Sequence, residues 1–215
     1  MRMTHKMTSG ELYQELRGRI LNYEYRPGEP LPIRKLAADL GVGTMLIREA
    51  LFRLEGELLI ERPPNGSARV PQISYKDLRD IFEVRLMLER QCGALAAHRI
   101  TETEKAACRK LLALLGQAVD LKETMQIDAR LHDALYAATR NGTLQRFSMQ
   151  LRHQVTHLWY LVEDEQAWCR TIHEEWRGIL DAVFRGDEQE SKLCLEQHVR
   201  RFITEVQGPL QVPDR

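Results

Sequence analysis

The sequence predicts a mainly α-helical protein, with an N-terminal winged helix-turn-helix followed by an all-α antiparallel six-helix bundle. Three observations predict this fold class. Apolar residues recur at helical spacing in two short segments that flank a Gly-Val-Gly turn. Two short apolar runs then surround a turn rich in proline, asparagine and glycine, as in a β-hairpin. From residue 75 onward, helical patterns alternate with turn and capping residues, and no strand pattern intervenes.

The composition is that of an ordinary globular protein, with 43% hydrophobic residues, 29% charged residues and a formal net charge of +0. The four cysteines are scattered and form no CxxC pair, which disfavours a disulfide framework and a cysteine zinc site and favours the cytoplasm. We expect no signal peptide and no membrane partner, because no apolar run approaches the roughly 20 residues of a membrane span. Because the net charge is zero, any DNA binding must depend on local placement of positive charge.

Three helices are predicted in the N-terminal segment. The first extends over residues 9–25 and ends at a Pro-Gly-Glu-Pro turn, because proline and glycine both break helices. The next two surround a tight turn, with Gly41 in the left-handed conformation that ends one helix and Thr44 as the cap of the other. Helix, short turn and helix form the helix-turn-helix pattern. Thr44 and Arg48 lie near the leading end of its second helix, where such helices meet base edges.

A β-hairpin is predicted after these helices. Residues 58–62 and 67–70 fit two short strands around a Pro-Pro-Asn-Gly turn, and such a hairpin is the wing of a winged helix. Arg62 and Arg69 on this hairpin have two interpretations. They contact DNA phosphates, or they are solvated edge-strand charges that discourage aggregation.

The combined motifs resemble the GntR-type bacterial transcription regulators over residues 9–71. The matching runs are Pro-Gly-Glu at residues 27–29, Leu-Ala-x-x-Leu-Gly-Val at 36–42, Ile-Arg-Glu-Ala-Leu-x-x-Leu-Glu at 47–55, and the wing glycine at 66. The resemblance implies that three arginines contact the operator, and Arg34 and Arg48 match two of them. The third falls at Thr44, within Gly-Thr-Met-Leu instead of the usual Ser-Arg-Thr-Pro. The base preference there should differ, because arginine is the usual reader of guanine. The predicted DNA-contacting residues are Arg34, Thr44, Met45, Arg48, Arg62, Asn65, Gly66 and Arg69.

The chain is thus divided into a DNA-binding domain at 1–71, a linker at 72–74 and a helical domain at 75–215. Helices are predicted over 75–100, 103–118, 122–139, 142–163, 165–185 and 188–207. This half resembles the FCD-type effector domain of the FadR branch of the GntR regulators. The residues that support the resemblance are Arg85, Glu89, 94–97, Asp128, His132, 179–182, 185–187 and His198.

Two pairs of polar residues fall on or beside the apolar stripes of their helices. Arg85 and Glu89 lie within one stripe, and a charge that faces the core needs a partner. Two interpretations are compatible with each other. In one, Arg85 and Glu89 form an ion pair; in the other, Arg85 binds a carboxylate ligand through two hydrogen bonds. Asp128 and His132 lie one turn apart, a spacing that fits one metal ion and also an ordinary hydrogen-bonded pair.

The FCD resemblance implies a divalent metal such as zinc or nickel, which is bound by Asp128, His132 and two later histidines and helps to bind a carboxylic-acid effector. His198 matches one of these histidines, but the other falls at Trp176, which cannot bind a metal. Three ligands plus water can still form a site, with His173 as a candidate substitute. Alternatively, Trp176 fills the metal's space and leaves a drier pocket without metal. The predicted effector-binding residues are Arg85, Asp128, His132, Trp176 and His198.

These features favour a ligand-responsive transcriptional regulator that binds a palindromic operator as a homodimer. The resemblance implies a repressor with an organic-acid effector. The alternatives are a metal-dependent enzyme, in which Asp128, His132 and His198 activate water, and a metal sensor that uses the same residues. The sequence offers neither the paired Glu-x-x-His helices of di-iron bundles nor a glycine-rich phosphate loop, so an enzyme is disfavoured.

Overall fold

The computed structural model describes residues 7–64 and 66–211. It divides into two compact units, one comprising residues up to Ile73 together with His153–His157, and the other Ser74–Arg152 and the residues from Leu158 onward. The described residues form nine α-helices and one 3-10 helix, with isolated β-bridges in place of regular strands. The mainly α-helical fold class is therefore confirmed. In the same part of the chain, no helix is both long and apolar enough to cross a membrane.

The first unit contains α1 (Ser9–Leu21), α2 (Ile33–Leu40) and α3 (Thr44–Gly56). Helix α1 begins with a capping box, in which Thr8 accepts a hydrogen bond from the backbone of Glu11 and the Glu11 side chain accepts one in return. Gly41 ends α2 in the predicted left-handed conformation, with φ of 64°. Thr44 was predicted as the cap of α3, but it is the first helical residue, and Gly43 occupies the N-cap without a side-chain hydrogen bond.

The buried faces of α1 and α3 form the core of this unit. Residues at helical spacing on both helices are at most 2% exposed, which is the pattern that predicted them. These residues are Leu12, Leu16, Ile20, Ile47, Ala50, Leu51 and Leu54.

The wing contains less regular structure than the predicted hairpin. Glu61 and Arg69 exchange backbone hydrogen bonds of 2.9 and 3.0 Å, but this bridge is isolated. Leu58 has a φ of 59°, and the N–H of Leu59 donates to the Leu54 carbonyl of α3. The segment predicted as the first strand therefore begins in the turn that ends α3. On its other side, Arg69 forms a bridge with Pro30, which has no N–H to extend the ladder. Leu31 donates to the Ala68 carbonyl at 2.6 Å, so the 67–70 segment lies between two extended segments.

Six further α-helices follow in the described residues, with caps close to the predicted positions, and all belong to the second unit except the His153–Thr156 end of the fourth. Ser74 and Thr101 form capping boxes, Asp120 caps the helix that begins at Leu121, and Gly186, with φ of 73°, ends the helix that begins at Glu165. The helix predicted over 142–163 instead ends at Thr156 and continues as a 3-10 helix. The elements are α4 (Tyr75–Arg99), α5 (Glu102–Leu115), α6 (Leu121–Ala138), α7 (Gly142–Thr156), the 3-10 helix (His157–Leu161), α8 (Glu165–Arg185) and α9 (Glu188–Gln211).

Helices α4 and α9 approach closely at Gly93. A Cβ atom added to Gly93 would lie 2.6 Å from the backbone carbonyl oxygen of Ser191, so no larger residue fits without a backbone shift. This contact places the Arg85–Glu89 turn of α4 in the same interior as the middle of α9, which carries His198.

Candidate functional site

The exposed face of α3 begins with Thr44, Met45 and Arg48. Met45 is 75% exposed and Phe52, two turns later, is 70% exposed. The residues between them on the opposite face are buried in the core of the unit, so the orientation of the helix is fixed.

One side of this face is bound to α1. The Ser9 hydroxyl donates to the Glu49 carboxylate at 2.6 Å, and the Arg53 guanidinium lies 3.9 Å from the centre of the Tyr13 ring. Glu49 and Arg53 therefore belong to the packing of α3 against α1. The side that carries Met45 is the one left for a partner.

The predicted DNA-contacting arginines differ in their surroundings. Arg34 and Arg48 are exposed and form no ion pair with the acidic residues that the structure describes. By contrast, the Nε atom of Arg62 lies 3.1 Å from a Glu55 oxygen, and that of Arg69 lies 2.6 Å from a Glu61 oxygen. Exposed ion pairs are weak, about 0–1 kcal/mol, so a phosphate could still displace the glutamates.

Gly66 lies at the exposed tip of the wing. Its N–H donates to the Pro63 carbonyl at 3.2 Å, and an added Cβ would lie 2.8 Å from the Pro63 ring. The tight turn therefore requires glycine at this position. The other predicted contact at the tip, Asn65, lies outside the described residues.

The second unit contains a buried polar cluster formed by Asp128 and His132 of α6 and His198 of α9. The two histidine Nε2 atoms are 3.2 Å apart, and His198 Nε2 is also 3.2 Å from Asp128 Oδ1. One possible ligand atom from each residue lies within 4.8 Å of the others. The side chains are buried, so their polar atoms depend on neighbouring protein groups for hydrogen bonds. The structure thus brings together the three predicted metal ligands.

Trp176 of α8 forms one wall of the cluster. Its indole N–H donates to Asp128 Oδ1 at 2.7 Å, and its ring centre lies 4.9 Å from that of His132 and 5.4 Å from that of His198. The structure therefore places Trp176 beside the candidate ligands, as predicted. The indole supplies a hydrogen bond and no lone pair, so it orients the carboxylate instead of binding a metal.

His173 was predicted as a possible substitute ligand, and this is wrong for the described geometry. Its Nε2 atom lies 3.0 Å from the position of a Cβ added to Gly116, at the end of α5. His173 is outside the group of residues able to share an ion. His173 therefore packs against the end of α5, whereas Trp176 contacts the cluster.

A carboxylate lies behind each histidine of the cluster. Glu175 Oε2 is 2.8 Å from Nδ1 of His198, and Glu89 Oε2 is 3.8 Å from Nδ1 of His132. The hydrogen bond to Glu175 holds the His198 ring so that its Nε2 faces the centre of the site, whereas Glu89 lies beyond hydrogen-bond distance of His132. The sequence analysis missed Glu175, because its neighbours Glu174 and Trp176 give no spacing that marks it as inward-facing.

Glu89 also joins the cluster to the predicted Arg85 pair. Arg85 Nε donates to Glu89 Oε1 at 3.2 Å, and the Tyr136 hydroxyl donates to the same oxygen. Glu89 Oε2 and His132 Nδ1 are both buried and have no hydrogen-bond partner within the described structure. The ion-pair interpretation of Arg85 and Glu89 is therefore correct, and a ligand-binding role for Arg85 stays a prediction.

The electrostatics of the cluster give its three members different protonation states. Burial lowers the pKa of His132 well below its usual range, although the Asp128 carboxylate opposes this. Burial also lowers the pKa of His198, but hydrogen bonds to Asp128 and Glu175 outweigh it and raise the pKa to about 9. Burial raises the pKa of Asp128, yet the two histidines and the indole N–H more than compensate, and this pKa is lowered. At neutral pH, Asp128 is a carboxylate, His132 is neutral and His198 is an imidazolium.

Comparison with known proteins assigns both units to families. Residues 8–70 match the model of the bacterial regulatory proteins of the gntR family, and residues 80–201 match the FCD domain model. The chain belongs to the FCD branch of the GntR family.

Its relatives are transcriptional regulators. The chain is 26% identical over 207 residues to the HTH-type transcriptional regulator McbR of Escherichia coli, covering 94% of each sequence. It is also 26% identical over 208 residues to the transcriptional repressor GlaR of the same organism, covering 90% of this chain and 93% of that one.

The fold is also that of a solved relative. The structure of E. coli McbR/YncC superimposes with a TM-score of 0.85 at 24% identity, covering 94% of this chain and 99% of that one. The chain is therefore a DNA-binding transcriptional regulator of the GntR/FCD type, and the alternative of an enzyme is rejected because the relatives are regulators.

Proposed function

We propose that the protein is an effector-responsive repressor whose FCD domain binds a small carboxylic acid and thereby changes operator affinity. The observation that carries this proposal is the buried cluster of Asp128, His132 and His198 beside the buried Arg85. Charged groups in a helical core are costly unless they are paired or serve a ligand. GlaR, a relative named as a repressor, supports the proposed sign of the response.

The chemistry of the cluster supports an anionic ligand. Arg85 is buried, and a guanidinium can hold a carboxylate in two parallel hydrogen bonds. His198 is an imidazolium in the absence of metal, which adds a second positive group. Trp176 and Tyr136 are fully buried beside these charges and offer ring surfaces to the carbon skeleton of an acid.

The geometry also fits a divalent metal ion. Two ligand nitrogens about 2.0–2.1 Å from a tetrahedral zinc ion are about 3.3 Å apart, and the two Nε2 atoms here are 3.2 Å apart. Asp128, His132 and His198 would hold the ion, with Glu175 and Glu89 behind the rings. When bound, zinc or nickel would supply positive charge that attracts a carboxylate. The proton on His198 must leave for this to occur, so metal affinity should rise with pH.

Metal binding at the cluster is expected to stabilise the fold. With free Zn²⁺ or Ni²⁺ at ten times its Kd, the gain is about 1.4 kcal/mol, or roughly 3–6 °C in melting temperature. The measurement is thermal unfolding of chelator-treated protein with and without added metal, together with elemental analysis of the purified protein. Asp128→Asn should abolish the shift, whereas His173→Ala, a change outside the cluster, should retain it.

The results of this titration separate the proposed ligands. An equal shift in wild type and Asp128→Asn would place the metal elsewhere and contradict the proposed site. No shift in wild type would support the interpretation in which Trp176 leaves a pocket without metal. Loss of operator binding on chelation alone, without an acid, would instead favour a metal sensor.

A homodimer is part of the proposal, because a two-fold protein places two α3 helices on the two halves of a palindromic operator. The effector then acts only to the extent that it binds the two arrangements of the dimer with different affinities. This function is tested by titrating a selected operator duplex with protein in the presence of small carboxylic acids, where we expect one acid class to weaken binding.

A further inference from the structure

Met45 is an unusual residue for the place it occupies. It follows the first residue of α3 and leaves 75% of its side chain in water. Single exposed apolar residues are common on protein surfaces. This one, however, lies in the first turn of the second helix of a helix-turn-helix, the part that meets the base edges of DNA.

The packing of α3 keeps Met45 outside. Ile47 is 0% exposed and Leu46 packs against the core of the first unit, so turning Met45 inward would remove these residues from it. Arg48 lies three residues later on the same exposed face. Met45 and Arg48 therefore approach a partner together.

The major groove offers one apolar group to such a side chain. Guanine, cytosine and adenine present hydrogen-bond donors and acceptors there, and thymine adds its C5-methyl group. Methionine is flexible and polarisable, and it adapts its shape to an apolar contact. The neighbouring Thr44 has a hydroxyl in place of a guanidinium, so it lacks the two-pronged contact by which arginine selects guanine.

We infer that Met45 contacts the C5-methyl group of a thymine, so that each operator half-site carries a T·A pair where the first turn of α3 enters the groove. The inference rests on the proposed use of α3 as the reading helix. Arg48 supplies the polar contact next to it, to a phosphate or a guanine. Met45 is thus a specificity-determining residue of this regulator.

The test removes one methyl group at a time. A high-affinity operator is selected from random duplexes with the purified protein, and each thymine is replaced in turn by deoxyuridine, which differs only in that methyl. For wild type, one position per half-site should lose about fourfold in affinity, the value of one methyl group removed from water. Met45→Ala removes the contact from both half-sites, so it should weaken binding to the unmodified operator by about sixteenfold and show no thymine–deoxyuridine difference at that position.

A matched control lies on the same helix. Phe52→Ala removes another exposed apolar side chain of α3 and should keep the full thymine–deoxyuridine difference. Wild-type binding that is indifferent to every deoxyuridine, or a difference that survives in Met45→Ala, would overturn the inference.

Failure of the inference and failure of the proposed function give different results. Arg48→Ala reports whether α3 reads the operator at all. If Arg48→Ala loses affinity while no methyl effect exists, only the role of Met45 is rejected. If Arg48→Ala binds as wild type, or if no duplex is enriched in the selection, the reading helix itself is rejected together with the inference.

Discussion

Arg85→Met is expected to lower the free energy of unfolding by about 3–5 kcal/mol, the usual cost of removing one partner of a buried ion pair. Glu89 is 0% exposed and accepts hydrogen bonds from Arg85 and Tyr136. Methionine fills the space of the arginine side chain as far as Nε and keeps its apolar stem, so most of the loss reports the charge that Glu89 retains. The measurement is urea unfolding followed by circular dichroism at neutral pH.

Two further variants separate the charge effect from the change in packing. Arg85→Met/Glu89→Gln removes both charges and should recover part of the loss, because the amide can still accept from Tyr136. Arg79→Met changes an exposed arginine of the same helix and should cost less than about 1 kcal/mol. Equal losses in Arg85→Met and the double variant would show that the charge of Glu89 is not the cause.

Arg48→Ala is expected to weaken operator binding by about 1–3 kcal/mol without altering stability. The guanidinium is exposed, lies beside Met45 on the outer face of α3 and makes no ion pair with a described carboxylate, so its loss removes a DNA contact alone. A gel-shift titration at fixed salt gives the affinity, since phosphate contacts make binding strongly salt-dependent.

Lys122→Ala is the control for charge. It removes an exposed cation from α6 in the FCD domain, and operator affinity should not change. If Arg48→Ala and Lys122→Ala both bound as wild type does, the account of α3 as the reading helix would be contradicted.

Much of the DNA-binding unit could be predicted from sequence, because its helices depend on local signals. The spacing of Leu12, Leu16 and Ile20 marks the buried face of α1, and Gly41 supplies the left-handed turn. The sequence could not show that the predicted wing strands do not form. Their absence depends on the positive φ of Leu58 and on which segment pairs with Arg69. Both are properties of the folded chain and have no periodicity in the sequence.

The site was predictable to the extent that it follows helix faces and the FCD resemblance. Asp128 and His132 share a face of one helix, so their meeting follows from their spacing. The approach of Glu175 to His198 and of Tyr136 to Glu89 depends on how different helices pack, and no pattern in one helix encodes it. For the same reason, His173 was a plausible ligand until the neighbours of α8 were known.

The coupling between the two sites is the central claim, and operator affinity measured during an effector titration tests it most directly. Fluorescence anisotropy of a labelled operator duplex gives Kd at fixed salt, for wild type and Asp128→Asn, with aliphatic, aromatic and dicarboxylic acids and with or without Zn²⁺. We predict that one class of acid weakens wild-type binding by at least fivefold, within the usual range of about 1–3 kcal/mol for allosteric coupling, and leaves Asp128→Asn unaffected. An operator Kd that stays constant across every acid, including any that raises the melting temperature, would contradict the account.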